Sequence, residues 1–504
     1  MLSMEQLSLI VEKHLDQIQI SNFINQSNKW TIRQSDVSGR GLFATEDIRE
    51  GEVLFVDHPL VYGPRSGTTI QRGCTICGKI DSDTLFRCTK CGLVLCSQQC
   101  LSSDVHYDDC IQISAWSNKI PIEDTDDTIL SRCLAAIRTL SLNEDKRQLL
   151  NALQSHALPQ HGSEIRELVK YFDISPEDEQ LMSLAACILD ANAFQIATPY
   201  GSSEMSMRGL YPVSSLMNHN CVPNTKYSFN RECYMVIKSV KAISAGTELT
   251  TCYSGLLWGT PARRLHLYKT KHFWCKCERC SDPTERGTFL AALKCFESSC
   301  TGSLLPVDPL KPTSAWRCLS CDLRVPNSNI CAIQSALGSL LGSLDFENVA
   351  DLEKFFLNRL FKYIPKTNQI AVDLQCRIIW EFGEKDGFRW HELSEARLSL
   401  KESLCRSTLR TLAALGLGDA HLRGLLLYHL HASLAERARR CPELYEELKI
   451  EIENTIEQAY NILQDDISSP PDLQLRHQYL GPGCEKPHKE RFVILDSTRP
   501  NNII

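Results

Sequence analysis

Apolar positions change their rhythm along the chain. Residues 1–27 carry Leu, Ile and Val at helical spacing among Glu5, Glu12, Lys13 and Asp16, which predicts an amphipathic helix followed by a linker. Between Trp30 and Tyr62 the apolar stretches shorten to Gly41-Leu42-Phe43-Ala44 and Val53-Leu54-Phe55-Val56, cut by glycines, which predicts short strands. Residues 64–73 read as a polar connector, and residues 120–190 return to helical periodicity, clearest over 130–142 and 165–172. Strand character resumes at Tyr227-Ser228-Phe229 and over 234–240, with turns at 230–232 and at Ala245-Gly246. Residues 256–274 read as helix, and from 330 to about 464 the pattern is helical throughout. Paired helices of this kind predict a tetratricopeptide-like array, although no consensus of about 34 residues repeats. Residues 466–504 are rich in Pro, Gly and Asn and are expected to be irregular. The class is α+β and multidomain.

A chain of 504 residues is too long for one core, so two to four domains are expected. Lys plus Arg is 54 against 61 for Asp plus Glu, and the resulting charge of −7 argues against a nucleic-acid-coating surface. It is compatible with basic peptide substrates. Cysteine is the outlier, at 24 residues. The acidic residues of the first segment argue against a signal peptide, and no apolar run is long enough to span a bilayer. The expectation is an intracellular protein, in cytoplasm and/or nucleus, whose cysteines bind metal rather than form disulfides.

The cysteines have ligand spacing. Cys74-x2-Cys77, Cys88-x2-Cys91, Cys96-x3-Cys100 and His106-x3-Cys110 provide eight ligands in residues 74–110, enough for two tetrahedral zinc ions. Every position is filled by protein, so the ions would hold the fold and leave no site open for catalysis. Cys275-x-Cys277-x2-Cys280 offers three further ligands, and a fourth must come from elsewhere. Cys295-x4-Cys300 with Cys318-x2-Cys321 would make another zinc site; the alternative is four ordinary reduced cysteines. With Cys221 set aside, the remaining nine, among them Cys133, Cys187 and Cys376, show no ligand spacing and read as core.

Four pieces then stand in a telling order: Gly39-Arg40-Gly41-Leu42, Asn218-His219-Asn220-Cys221-Val222-Pro223-Asn224, Glu248-Leu249-Thr250-Thr251-Cys252-Tyr253, and the Cys275–Cys280 motif, with the cysteine cluster inserted after the first. This layout resembles the SMYD family, SET-domain protein-lysine methyltransferases split by a MYND zinc finger, and extends to its arthropod SmydA-type branch. On this resemblance, after the helix and linker of 1–27, residues 28–73 are the first part of the SET domain and 74–110 the MYND finger. Residues 111–190 are a helical insert, 191–255 the SET core, 256–282 the post-SET segment and 283–329 a zinc ribbon. Residues 330–465 are the helical C-terminal domain, and 466–504 the tail.

The resemblance implies S-adenosylmethionine as cofactor and three zinc ions, four if Cys295, Cys300, Cys318 and Cys321 bind one. It pairs Cys74, Cys77, Cys96 and Cys100 on one ion and Cys88, Cys91, His106 and Cys110 on the other, and brings Cys221 to Cys275, Cys277 and Cys280. It places Gly39, Arg40, Gly41, Asn192, Asn218, His219, Tyr253 and Phe273 around the cofactor, with Asn218 and His219 using side chains and backbone. An asparagine at 192 could equally cap a turn, and a phenylalanine at 273 fill core. Tyr253 is the expected catalytic residue, its hydroxyl orienting a neutral lysine amine for in-line attack on the methyl group. Ser38 and Asn220 depart from the residues usual in the family at their positions.

The implied partners are a lysine-containing protein or peptide and a proline-rich peptide at the MYND finger, with no membrane. A rival reading is a non-catalytic adaptor or transcriptional co-repressor that uses the finger and the helical domain. Direct nucleic-acid binding is disfavoured, because Lys79, Arg87 and Lys90 face Asp81, Asp83, Asp104, Asp108 and Asp109 within the finger. His421, His429 and His431 read as satisfied or exposed residues of a helix, not as ligands.

Overall fold

The structure is a computed structural model that describes residues 3–16, 29–65, 72–121, 125–126, 128–156, 162–199 and 204–492. The chain divides into two compact units. The first comprises Met1–Asn218, Thr225–Thr250 and Asp465–Ser469, and the second His219–Asn224, Thr251–Gln464 and Pro470–Ile504.

In the first unit the helix Met4–Asp16 buries Leu7, Ile10, Val11, His14 and Leu15, the one-sided spacing its sequence predicts. His14 Nε2 lies 3.1 Å from the buried carboxylate of Asp57, whose other oxygen accepts the Ser214 backbone N–H at 2.8 Å. The short strands are present. Trp30–Gln34 pairs antiparallel with Arg40–Ala44, Trp30 opposite Ala44 and Gln34 opposite Arg40. Glu248 and Leu249 join the same sheet opposite Phe43 and Leu42. Val53–Asp57, Met235–Ser239 and Thr225–Phe229 form a second antiparallel sheet, and Val61–Pro64, Met207–Leu210 and Phe194–Gln195 a third. One continuous core runs from the N-terminal helix through these strands to the helices Ile129–Ile137 and Pro176–Asn192.

In the second unit the helix Thr260–Lys271 is followed by a four-stranded antiparallel sheet of Leu293–Lys294, Ser303–Pro306, Trp316–Cys318 and Arg324–Val325. Beyond it, Gln369–Glu381, Glu395–Leu415, His421–Arg440 and Tyr445–Leu463 pack each against the next around one main core, with a smaller cluster of Leu427, Tyr428, Ile456, Ala459, Ile462 and Leu463 between the last two. Of the histidines on His421–Arg440, His429 and His431 are buried, and His431 Nδ1 lies 3.0 Å from the Ile452 carbonyl. The stretch expected to be irregular contains the helix Leu473–Leu480. Its residues 493–504 lie outside the described residues. Among the described residues no helix is long and apolar enough to cross a membrane.

Candidate functional site: a glycine turn, a buried histidine and four ligand clusters

The Gly39-Arg40-Gly41 turn lies in the first unit, where Gly39 adopts φ 51° and Arg40 begins the strand Arg40–Ala44. Gly41 is required by its neighbours: a Cβ there would collide with the Glu248 carboxylate and lie 3.2 Å from Asn218 Nδ2. Asn218 is the pin of this turn. Its Nδ2 donates to the Ser38 and Arg40 carbonyls at 3.1 Å each and to Glu248 Oε1 at 2.7 Å. Glu248 Oε2 accepts from the Ser35 hydroxyl at 3.0 Å. The amide nitrogen of Asn218 is therefore engaged within the protein. Ser38 contributes a carbonyl, which any residue type supplies. The Arg40 guanidinium donates to the Ala152 carbonyl at the end of the helix Glu144–Ala152.

Asn192 ends the helix Pro176–Asn192. Its amide donates to the Gln154 carbonyl at 2.6 Å and to the Ile188 carbonyl at 2.8 Å, so the side chain works as a helix-end clamp.

His219, Tyr253 and Phe273 lie in the second unit. His219 Nδ1 accepts the Tyr253 backbone N–H at 3.0 Å, and Nε2 lies 3.2 Å from Cys221 Sγ. An acceptor at Nδ1 assigns the proton to Nε2, so the ring donates to sulfur. Burial holds His219 neutral, with its pKa pushed down to about 4. Ring centroids of Tyr253 and Phe273 stand 5.3 and 5.9 Å from that of His219. Lys271 Nζ lies 5.6 Å from the centre of the Tyr253 ring, a cation on its π face. Asn220 Oδ1 accepts the Val222 N–H at 2.9 Å, a turn that leads Cys221 inward ahead of Pro223.

Among the described residues, four groups bring their ligand atoms within 4.8 Å of one another: Cys74, Cys77, Cys96 and Cys100; Cys88, Cys91, His106 and Cys110; Cys221, Cys275, Cys277 and Cys280; and Cys295, Cys300, Cys318 and Cys321. A Zn–S bond of about 2.3 Å gives a tetrahedron edge of about 3.8 Å. The sulfur separations fit that edge, at 3.5 Å for Cys77–Cys96, 4.0 Å for Cys88–Cys110, 3.5 and 3.9 Å from Cys221 to Cys280 and Cys275, and 3.7 Å for Cys300–Cys318. All are far longer than a disulfide bond of about 2.05 Å. His106 Nδ1 lies 2.7 Å from the Leu101 carbonyl, so the proton sits there and Nε2 faces Cys91 at 3.6 Å as the ligand atom. His106 and Cys110 share one face of the helix Asp104–Ser114, capped by Ser103. The first two groups interleave along the chain, and Cys221 completes the third.

Sequence reasoning assigned no role to Ser35, Glu248, Arg263, Arg279 or Glu285. Glu248 opens a recognised motif and was visible as such. The two arginines and Glu285 carry no spacing signal, and only tertiary structure reveals them as a buried network beside Cys221.

The family described as SET domain matches residues 39–254. The SET domain-containing protein SmydA-8, isoform A, of Drosophila melanogaster is 31% identical over 84% of this chain and 91% of its own length. Histone-lysine N-methyltransferase SMYD3 of Mus musculus is 25% identical over 55% of this chain and 67% of its own length. Histone-lysine N-methyltransferase ASHR1 of Arabidopsis thaliana is 26% identical over 56% and 62% respectively.

Proposed function

The chain belongs to the SMYD family of SET-domain proteins, on its SmydA branch, and from that premise we propose that it is an S-adenosylmethionine-dependent protein-lysine N-methyltransferase acting on histone and/or non-histone proteins. The observation that carries the reading is the 3.0 Å bond from the Tyr253 backbone to His219, which fixes the phenol-bearing residue to the cofactor-motif segment. S-adenosylmethionine supplies an electrophilic methyl group on a sulfonium. The Gly39-Arg40-Gly41 turn and the backbone of Asn218 would hold it, the turn being held in shape by the amide of Asn218. Phe273 gives it an apolar wall. The acceptor lysine must arrive as a neutral amine, because an ammonium has no lone pair. The Tyr253 hydroxyl orients that amine toward the methyl carbon, and alignment supplies much of the rate enhancement.

The zinc ions are structural. Cys74, Cys77, Cys96 and Cys100 would hold one, Cys88, Cys91, His106 and Cys110 a second, Cys221, Cys275, Cys277 and Cys280 a third, and Cys295, Cys300, Cys318 and Cys321 a fourth. Four protein ligands at each leave no position open to substrate. The reading extends to a proline-rich peptide on the finger, where Tyr107 and Ile111 are exposed one turn apart on the same helix, and to an intracellular role in transcription. It does not include nucleic-acid binding.

The test is to incubate zinc-replete protein with methyl-labelled S-adenosylmethionine and histone or whole-protein substrates, then hydrolyse and identify the labelled amino acid. Labelled N-methyl-lysine that disappears with Tyr253→Phe is the expected outcome. Label confined to other amino acids contradicts the proposal.

A further inference from the structure

One buried carboxylate ties the N-terminal helix to the turn that leads into Asn218. Asp57 ends the strand Val53–Asp57, where its backbone pairs with Met235. Its side chain is 0% exposed and that of His14 2%. The hydrogen bonds of the Asp57 carboxylate come from two different elements. His14 Nε2, on the helix Met4–Asp16, donates to Oδ1 at 3.1 Å, and the Ser214 backbone N–H donates to Oδ2 at 2.8 Å.

Ser214 opens a short 3-10 turn, Ser214–Leu216, that carries no side-chain cap of its own. An N–H in the first turn of a helix has no acceptor within that helix, and Ser214 is buried. Asp57 supplies the acceptor from a strand more than 150 residues earlier in the chain. The turn closes with the Met217 N–H on the Ser214 carbonyl at 3.1 Å. Asn218 follows directly, and its amide holds the Ser38 and Arg40 carbonyls.

The His14 ring is itself held in place. It stacks on His58 with centroids 3.7 Å and planes 17° apart. Burial, and then its neighbour His14, push the His58 pKa down to about 4, so the pair is spared like-charge repulsion. Leu7, Ile10, Val11 and Leu15 fix the helix in the core that surrounds the pair. A buried carboxylate is costly unless its oxygens are answered, and half of the answer comes from this helix. The helix precedes residues 39–254, the stretch that the SET family matches.

We propose that His14 is a positioning residue, which holds the Asp57 carboxylate so that it anchors the Ser214–Leu216 turn and, through that turn, the backbone path into Asn218. The N-terminal helix thereby belongs to the machinery that binds the cofactor, although it lies outside the matched domain. Without the His14 donor, the Asp57 carboxylate turns toward water and gives up the Ser214 N–H, and the turn loosens ahead of Asn218. The loosening stands by itself; only its effect on S-adenosylmethionine rests on the methyltransferase reading.

The experiment uses the full, zinc-loaded chain. His14→Phe keeps a ring to stack on His58 and removes the donor. Hydrogen exchange read by mass spectrometry follows residues 211–218, calorimetry follows S-adenosylmethionine, and chemical denaturation follows the whole fold. Losing a hydrogen bond to a charged group should speed exchange in that segment, and weaken S-adenosylmethionine, about tenfold or more. The KM for S-adenosylmethionine should rise with little change in peptide KM. His14→Gln restores an N–H donor and should recover most of both effects. A helix that only adds stability would lower the denaturation midpoint and leave exchange and cofactor affinity of the folded His14→Phe protein at wild-type values, which would overturn the proposal. If His14→Phe does not accumulate as folded protein, the double variant with Asp57→Leu decides. Replacing both buried polar partners by apolar groups is nearly neutral for stability, yet still leaves Ser214 without its acceptor. Wild-type exchange and affinity in that double variant overturn the proposal equally. Failure of wild type to bind S-adenosylmethionine, with exchange responding as stated, would sink the methyltransferase reading and leave the anchoring of the turn in place.

Discussion

At the scale of residues, the motif side chains hydrogen-bond within the protein. Asn218 binds the glycine turn and Glu248, and His219 binds Tyr253 and Cys221. Asn218→Ala leaves Glu248 Oε1 and the Ser38 and Arg40 carbonyls without their donor. Removing a hydrogen bond to a charged group is worth about 1.5–3 kcal/mol, so cofactor affinity should fall about 10–100-fold by calorimetry. Wild-type affinity would show that the turn holds its shape unaided. Tyr253→Phe keeps the ring and the backbone bond to His219 and removes the hydroxyl. It should lower kcat by about 10²–10³ while cofactor affinity stays within about twofold, measured by labelled-methyl transfer and calorimetry. Gly39, Gly41, Asn218, His219 and Tyr253 were all legible in the sequence as motif positions. The reason for Gly41 was not, because the group that forbids a Cβ there comes from Glu248, more than 200 residues away in the chain.

At the scale of elements, the metal-ligand turns were the most legible part of the chain, since two sulfurs at x2 spacing fit one tight turn whatever surrounds them. What joins the finger to its neighbours was hidden. Asp109, on the helix that carries His106 and Cys110, receives the guanidinium of Arg138 at 2.9 and 2.7 Å, and both side chains are nearly buried. Arg138 also donates to the Tyr62 carbonyl at 2.6 Å and lies over the Tyr62 ring. Asp109→Ala leaves a buried guanidinium unpaired, and about 3–5 kcal/mol of stability should be lost. Chemical denaturation of the zinc-loaded protein checks this, and a loss below about 1 kcal/mol would show that Arg138 finds water or another partner. The helix Leu473–Leu480 escaped the sequence reading because Pro470, Pro471, Gly481 and Gly483 crowd its ends. A tertiary contact stabilises it, the Tyr428 hydroxyl donating to Asp472 at 2.6 Å, and within the helix Arg476 donates to the same carboxylate at 2.6 Å.

At the scale of the whole molecule, the helical C-terminal region followed from apolar rhythm and the ligand clusters from cysteine spacing, while the α+β class with an inserted finger followed from the family resemblance. The division of the chain did not. It passes from the first unit to the second at Asn218–His219, returns at Asn224–Thr225, and crosses again at Thr250–Thr251, within the stretches that carry the motifs. A sequence reading draws boundaries between motifs and has no signal for one that falls inside them. Native mass spectrometry should count four zinc ions per chain. Because Cys321 is exposed and Cys295 and Cys300 are only half-buried, that ion should leave first under a chelator, while Cys221 and Cys280, fully buried, keep theirs longest. A count of three with Cys318→Ser unchanged would remove the ribbon site. The central claim, that this chain binds S-adenosylmethionine for transfer to lysine, is tested most directly by calorimetric titration of S-adenosylmethionine into zinc-replete wild type beside Asn218→Ala. Binding at one site that Asn218→Ala weakens at least tenfold is the predicted result. No binding to folded, zinc-loaded wild type would contradict the account and leave the adaptor reading in its place.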